Sequence, residues 1–345
     1  MIPVLKTKLP CYEELEKYIR EIDANSVYSN YGPLNNKLSQ TLSNRFLLTP
    51  ANICLLSSGT SCLIASLWAL AQQLNKNPSE MSVGVPAWSF VATVQAALML
   101  GSKIKFVDVD QNGFASPSVD LDVDILIVVA PFGEPIDVDR WLKYQKKMGI
   151  KILFDCASSF STLNPSEIPA IVSCHATKGF STGEGGFVIC KDKRLIDTIR
   201  AFSNFGIYSS RVASSIGVNF KLSEINSAYG LAILDNEGLY LQPYLEQVRM
   251  YNEFISMYCS TIKPFNSEFM RTTYNVRITN ANVSQERLVY ALLASYGIEA
   301  RSWWGKPLPM LSQIFPHISK DQYSKFSTSQ KLCSQVLGLP MGQHI

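Results

Sequence analysis

Short, wholly apolar runs alternate with longer segments of helical spacing over the first two thirds of the chain. The clearest run is Ile125-Leu126-Ile127-Val128-Val129, and Ile53-Cys54-Leu55-Leu56, Val83-Gly84-Val85-Pro86, Ile104-Lys105-Phe106-Val107-Asp108-Val109 and Lys151-Ile152-Leu153-Phe154-Asp155 are similar. Between and after them, residues 62–74, 91–100, 137–148, 195–204 and 222–234 read as helices. Such alternation predicts an α/β fold with a mostly parallel sheet covered by helices on both faces. An N-terminal arm, a helix closing at Asp23-Ala24-Asn25-Ser26 and a second helix through Leu38, Leu42 and Phe46 precede the first strand.

The pattern changes in the last third. A charged helix over 247–258 leads to a strand at 273–278, a helix at 285–296, a strand at 299–304 and a helix at 330–337. A chain of 345 residues is too long for one small core. We expect a large domain over 1–235, arm included, and a smaller C-terminal α+β domain over 236–345.

Bulk properties narrow the partners. Hydrophobic residues make up 47% and charged residues 17%, an ordinary globular balance whose apolar surplus suits a subunit interface. The net charge of +3 comes without a basic run, so nucleic acid is not an expected partner. The start, Met1-Ile2-Pro3-Val4-Leu5-Lys6, lacks the apolar core of a secretion signal, and no stretch approaches a membrane span. A cytoplasmic location without membrane partners follows as the expectation. The cysteines (11, 54, 62, 156, 174, 190, 259, 333) are scattered without a C-x-x-C, and the three histidines (175, 317, 344) lie far apart. Reduced thiols and no metal site are expected.

Chemistry gathers at strand ends, where sheets of this kind place ligands. Ser57-Ser58-Gly59-Thr60-Ser61 joins a strand to a helix, which makes an anion cradle of free amides at the positive end of the helix dipole. It is neither G-x-G-x-x-G nor a Walker loop, and in isolation plain N-capping is the simpler reading. Trp88 follows one strand and alone would read as core. Asp155 ends another, where an N-cap or a salt-bridge partner fits equally. Lys178 stands in Ser173-Cys174-His175-Ala176-Thr177-Lys178, ahead of Gly183-Glu184-Gly185-Gly186. A walled-in lysine amine can lose its proton and form a Schiff base, and nearby glycines let backbone approach a ring or phosphate. A cradle, a flat ring, a carboxylate and a lysine together suit pyridoxal 5′-phosphate (PLP).

These blocks resemble the DegT–DnrJ–StrS aminotransferases of fold type I. The resemblance is carried by Ser57-Ser58-Gly59-Thr60, by Val85-Pro86-Ala87-Trp88-Ser89-Phe90-Val91-Ala92-Thr93, by Phe106-Val107-Asp108-Val109-Asp110 and by Asp155-Cys156-Ala157. The lysine block and Asn219-Phe220-Lys221-Leu222-Ser223-Glu224 complete it, from about residue 25 to 235, with a looser match beyond. It implies that Lys178 carries the cofactor and shuttles protons, and that Asp155 pairs with the pyridine nitrogen. It further implies that the Trp88 ring stacks on the cofactor and that Gly59, Thr60 and Ser173 hold the phosphate. Asn219, by itself a helix-start turn, would reach the cofactor of a second subunit, so a homodimer with shared active sites is expected. Ser158 stands where relatives often carry a longer glutamine that contacts the phenolic oxygen. Ala130-Pro131-Phe132-Gly133 replaces a loop that commonly holds a histidine, and the segment from Arg301 to Pro309 lacks one too. Tyr31, Arg301, Trp303 and Trp304 are candidates for a substrate pocket, although at least one tryptophan should pack the small domain.

The implied activity is transfer of an amino group, with L-glutamate as donor, to a nucleotide-linked keto-sugar for cell-surface polysaccharide or natural-product synthesis. One alternative is a non-catalytic protein that binds PLP or a sugar. Another is a sugar dehydratase, but the relatives of that type replace the lysine with histidine and this chain keeps Lys178.

Overall fold

The computed structural model describes residues 1–117, 121–208, 211–278, 283–318 and 320–342. Strand β1 (Leu5–Lys6) and helices α1 (Tyr12–Asn25) and α2 (Pro33–Arg45) come first. The central sheet takes its strands in turn: β2 (Ile53–Leu56), β3 (Ser82–Pro86), β4 (Lys103–Val107) and β5 (Ile125–Val129). Strands β6 (Lys151–Asp155), β7 (Ala170–Ser173) and β8 (Gly186–Ile189) complete it. Their spatial order is β2-β8-β7-β6-β5-β3-β4, and only β8 runs against its neighbours.

Alternation along β5 shows why the sheet needs cover on both faces. Leu126 and Val128 join one core with Leu34, Leu38 and Leu42 of α2 and Leu231 of α7 (Glu224–Asp235). Trp141 of α5 (Val138–Met148) belongs to the same core. Ile125, Ile127 and Val129 join the opposite core, with Leu67 of α3 (Gly59–Gln73), Val94 of α4 (Val91–Met99) and Ile199 of α6 (Lys193–Phe202). A strand buried on both sides must be apolar throughout, as its sequence is. The strands read at 53–56, 125–129 and 151–155 stand where expected. Helix α3 starts three residues earlier than its apolar spacing suggested. Ser58 is its cap: the Ser58 hydroxyl accepts from the Ser61 amide at 3.0 Å, and the Ser61 hydroxyl accepts from the Ser58 amide at 2.9 Å. The sequence reading passed over β7, whose four residues run directly into a polar loop.

The last third holds α8 (Glu237–Tyr240), α9 (Gln242–Tyr258), β9 (Ile262–Pro264), β10 (Tyr274–Ile278) and α10 (Val283–Ser295). Then come α11 (Ser327–Gln335), β11 (Val336–Leu339) and β12 (Met341–Gly342). Strands β11, β10 and β9 form a small antiparallel sheet in that order. Two expectations are corrected here. Residues 299–304 form no strand: only Arg301 bridges, to Gly338, because Trp304 turns to stack on Phe132 at 4.2 Å between ring centroids. Helix α11 ends at Gln335 instead of 337, since the Val336–Leu339 backbone pairs with β10.

The first and last described strands meet. β1 pairs in parallel with β12, and the Ile2 amide donates to the Gly297 carbonyl at 2.6 Å. Part of the last third also returns to the large sheet. The Leu308 amide donates to the Ala87 carbonyl at 2.7 Å, and Asp108 accepts from the Thr328 and Ser329 amides at 3.1 and 2.9 Å. That carboxylate caps α11 from outside its own helix. Among the described residues no helix is long and apolar enough to cross a membrane, and no group of three or more His, Cys, Asp or Glu side chains could hold a metal ion.

Buried Glu224 makes the same kind of joint at the other end of the sheet. From α7 it accepts from the Leu34 and Asn35 amides of α2 at 2.7 and 2.9 Å. Replacing it with alanine leaves two amides buried without an acceptor. Glu224→Ala should lower the unfolding free energy by about 3 kcal/mol. Urea unfolding measures this, and wild-type stability in the variant would show that the joint carries nothing.

Candidate active site

The carboxyl end of β6 delivers Asp155 into the interior, where it is 5% exposed. The Thr93 hydroxyl, from the first turn of α4, donates to it at 2.7 Å, and the Ala157 amide donates at 3.2 Å. Burial pushes the Asp155 carboxyl above the usual aspartate range; the two hydrogen bonds and the charge of Lys178 pull it back only in part. The site therefore favours a cationic partner for this carboxylate.

Lys178 comes from the loop between β7 and β8. That loop folds on itself: the Cys174 amide donates to the Gly185 carbonyl at 2.8 Å and the Thr182 amide to the Cys174 carbonyl at 2.9 Å. Gly183 takes a φ of +79°, a conformation glycine adopts without strain. The closed loop returns Lys178 toward the end of β6, where its Nζ donates to the Ser158 hydroxyl at 2.7 Å. Burial lowers the Lys178 amine below the ordinary lysine value, and the charge of Asp155 opposes that shift. The amine loses its proton more readily than a surface lysine does.

The cradle at the start of α3 lies against the end of β7. A Cβ placed on Gly59 would sit 2.8 Å from the Ser173 Cβ, so only glycine permits this approach. The Gly59 and Thr60 amides open the helix and have no acceptor within it. Ser158, Ser173 and Lys178 line one cavity together with Ala157, Gly179, Arg271 and Thr272. Sequence reasoning did not single out Thr93, Arg271 or Thr272 as site residues. Thr93 ends the Val85–Thr93 block that carries the family resemblance, whereas an arginine just ahead of a strand carries no local signal.

Other expected residues lie elsewhere. Trp88 is 1% exposed, edge-on to Phe132, Phe265 and Trp304 at 5.7, 5.5 and 4.8 Å, and its Nε1 donates to the Trp304 carbonyl at 3.1 Å. A ring so enclosed can stack on a ligand only if these neighbours shift. The Tyr31 hydroxyl is held by the Ser203 hydroxyl at 2.8 Å, at the end of α6. Arg301 pairs with Glu299 at 2.5 Å and lies over the Trp303 ring at 4.9 Å. Trp303 packs beside Gly338, and Trp304 against Phe132. None of these four lines the lysine cavity. Asn219 is exposed, its backbone bridged to Asn204.

The mostly parallel sheet, with a buried carboxylate and a lysine at its edge, is that of a fold type I PLP-dependent aminotransferase. Residues 11–345 match the model of the DegT/DnrJ/EryC1/StrS aminotransferase family, and the chain belongs to that family. It is 26% identical to the dTDP-4-amino-4,6-dideoxy-D-glucose transaminase of Shigella dysenteriae, over 98% of this chain and 93% of that one. The UDP-4-amino-4,6-dideoxy-N-acetyl-beta-L-altrosamine transaminase of Campylobacter jejuni is 29% identical over 61% of this chain and 60% of its own length. Among solved structures, a putative PLP-dependent aminotransferase from Bacillus cereus superposes with a TM-score of 0.84 at 22% identity, covering 100% of this chain and 96% of that one. DesI in the presence of its TDP-sugar product superposes with a TM-score of 0.81, also at 22% identity, over 99% and 88% of the two chains. At such identities these structures establish the fold.

The opposed shifts of Lys178 and Asp155 give a test of the site. Lys178 should react with an amine-modifying reagent at lower pH than the surface lysines, the rate rising as its proton leaves. Asp155→Asn removes the charge that holds this proton, so the midpoint should move lower still. Site-resolved mass spectrometry across a pH series reads both; a midpoint level with the surface lysines, or one that rises in the variant, would contradict the geometry.

Proposed function

We propose that the protein transfers an amino group from L-glutamate to a keto-sugar, using PLP held by Lys178. The observation that carries this reading is the buried carboxylate of Asp155 beside an amine shifted toward neutrality. The residues present suit the cofactor. The Gly59 and Thr60 amides with the Ser173 hydroxyl offer donors for a phosphate, and the close packing of Gly59 on Ser173 brings those donors together. The desolvated Asp155 would gain from the positive charge of a pyridinium. When bound, PLP supplies an aldehyde carbon that takes up an amine and a ring that stores the electron pair released at the substrate carbon.

The chain's own groups then have separate tasks. Thr93 and Ala157 hold Asp155 in place and limit its protonation. Lys178 Nζ, once released, accepts the proton from the donor carbon that bears nitrogen. Ser158, bonded to that amine at 2.7 Å, orients it and takes the place of the longer glutamine of relatives. Trp88 would cover the cofactor ring after its aromatic neighbours give way.

A nucleotide-linked acceptor is supported by the relatives from Shigella dysenteriae and Campylobacter jejuni, both named as transaminases of nucleotide-linked amino sugars. Use of the product in cell-surface polysaccharide or natural-product synthesis belongs to the same reading. A homodimer is supported by the exposed Asn219, flanked by the exposed apolar side chains of Phe205, Val212 and Ile216, which a second copy would cover. Tyr31 and Arg301 remain candidates for acceptor contacts only if substrate extends well beyond the lysine cavity.

The loaded protein should be yellow and should bleach on addition of glutamate, and a nucleotide-linked keto-sugar should restore the colour. Lys178→Ala should reduce turnover by about 10⁴-fold or more while melting temperature and subunit number stay unchanged. Colour that persists with every amino acid would favour a non-catalytic binder, and full turnover in the alanine variant would refute the assignment of the lysine.

A further inference from the structure

Among the described residues, Arg271 is a buried cation without an acid to pair with. It is 2% exposed, and the guanidinium lies between the Phe269 and Tyr274 rings at 4.9 and 5.1 Å. Its Nη1 donates to the Ser267 carbonyl, but Nε and Nη2 are buried and have no hydrogen-bond partner among the described residues. The acids that influence it are otherwise engaged. Glu134 accepts from the Asn266 side chain and the Ser267 amide, both at 3.0 Å, and Glu268 accepts from Arg249 at 3.1 Å and Asn252 at 3.2 Å. Burial pulls the guanidinium down to about 10, against the influence of those carboxylates. An unpaired charge at such a position costs stability unless a ligand answers it.

Its surroundings place it at the lysine cavity. Arg271 lines the same cavity as Lys178, Ser158 and Ser173. The segment that carries it is tied to the loop after β6 on one side and to the lysine loop on the other. The Ser161 hydroxyl donates to the Met270 carbonyl at 2.8 Å, and the Thr272 hydroxyl donates to the Thr177 carbonyl at 2.8 Å. Gly179 leaves room for the Met270 sulfur, which would lie 3.0 Å from any added Cβ. Nε and Nη2 form one edge of the guanidinium fork, with the spacing that grips both oxygens of a carboxylate.

We infer that Arg271 binds the α-carboxylate of the amino donor. The inference rests on the transaminase reading. A cavity that admits the carbon bearing the amine to Lys178 must also admit the carboxylate on that same carbon. The phosphates of a nucleotide-sugar are remote from its keto carbon and need not enter. The Phe269 and Tyr274 rings hold the guanidinium by cation–π contact, and its free Nε and Nη2 are buried, which makes a charge-assisted pair there strong.

Arg271→Met tests this. In the loaded enzyme, the glutamate concentration that half-saturates bleaching should rise about 100-fold, because a bidentate, desolvated ion pair is lost. The preference of the wild type for glutamate over its α-amide should vanish, and half-saturation by the keto-sugar should stay within about twofold. The melting temperature without ligand should not fall, since methionine removes an unpaired buried charge; a purely structural arginine would lower it. Arg271→Lys keeps charge without the fork and should fall between the two, which preserves the test if the methionine variant folds poorly. Titration of 2-oxoglutarate into cofactor-free protein gives a readout independent of turnover, with binding expected for the wild type and lost in Arg271→Met. If the wild type never colours or bleaches, the transaminase reading fails while this titration still decides the arginine. Unchanged glutamate saturation, a raised keto-sugar requirement alone, or equal 2-oxoglutarate binding by wild type and variant would overturn the inference.

Discussion

A carboxylate and an amine withdrawn from water at one sheet edge set the terms for everything around them. Burial shifts Asp155 and Lys178 in opposite directions, each toward its neutral form, while their mutual attraction pulls both back. Such a balance is sensitive to what enters the site: a cationic ring nitrogen favours the charged carboxylate, and an aldehyde favours the neutral amine. The surroundings are built to hold this state. Thr93 and Ala157 brace the acid, Ser158 braces the amine, and the β7–β8 loop closes on its own backbone to aim the lysine inward.

The fold makes that arrangement possible through strand direction. Because β2, β6 and β7 run the same way, their carboxyl ends bring Ser57–Thr60, Asp155 and Ser173 to one edge. The antiparallel β8 then carries the chain back from the lysine loop into the sheet. The last third contributes as well. The 270–272 segment is bonded to Ser161 and Thr177, so one wall of the lysine cavity belongs to the C-terminal part of the chain. Asp108 and Glu224 act as distant caps that lock α11 and α2 against the sheet.

Much of this was legible in the sequence because the signals were local. Runs such as 125–129 can only be doubly buried strands, and the small-residue turn after Leu56 and the acid at position 155 sit at strand ends by simple order along the chain. Features that depend on remote partners were not legible. Residues 299–304 have strand-like composition, yet the pull of Trp304 onto Phe132 leaves a single bridge. Val336 and Leu337 fit a helical spacing, but the open edge of β10 claims them. Trp88 was expected near the cradle because both follow strand ends, whereas in space its ring is enclosed by Phe132, Phe265 and Trp304. Arg271 gave no sign at all, since what marks it is the lack, among the described residues, of a hydrogen-bond partner for its buried Nε and Nη2.

The proposed chemistry requires one amine, at position 178, to form the covalent link to the cofactor. Borohydride reduction of the loaded protein, followed by peptide mapping, tests it directly. A reduced pyridoxyl group is expected on the peptide containing Lys178 and on no other. A label on a different lysine, or none on any peptide of a protein that binds the cofactor, would contradict it.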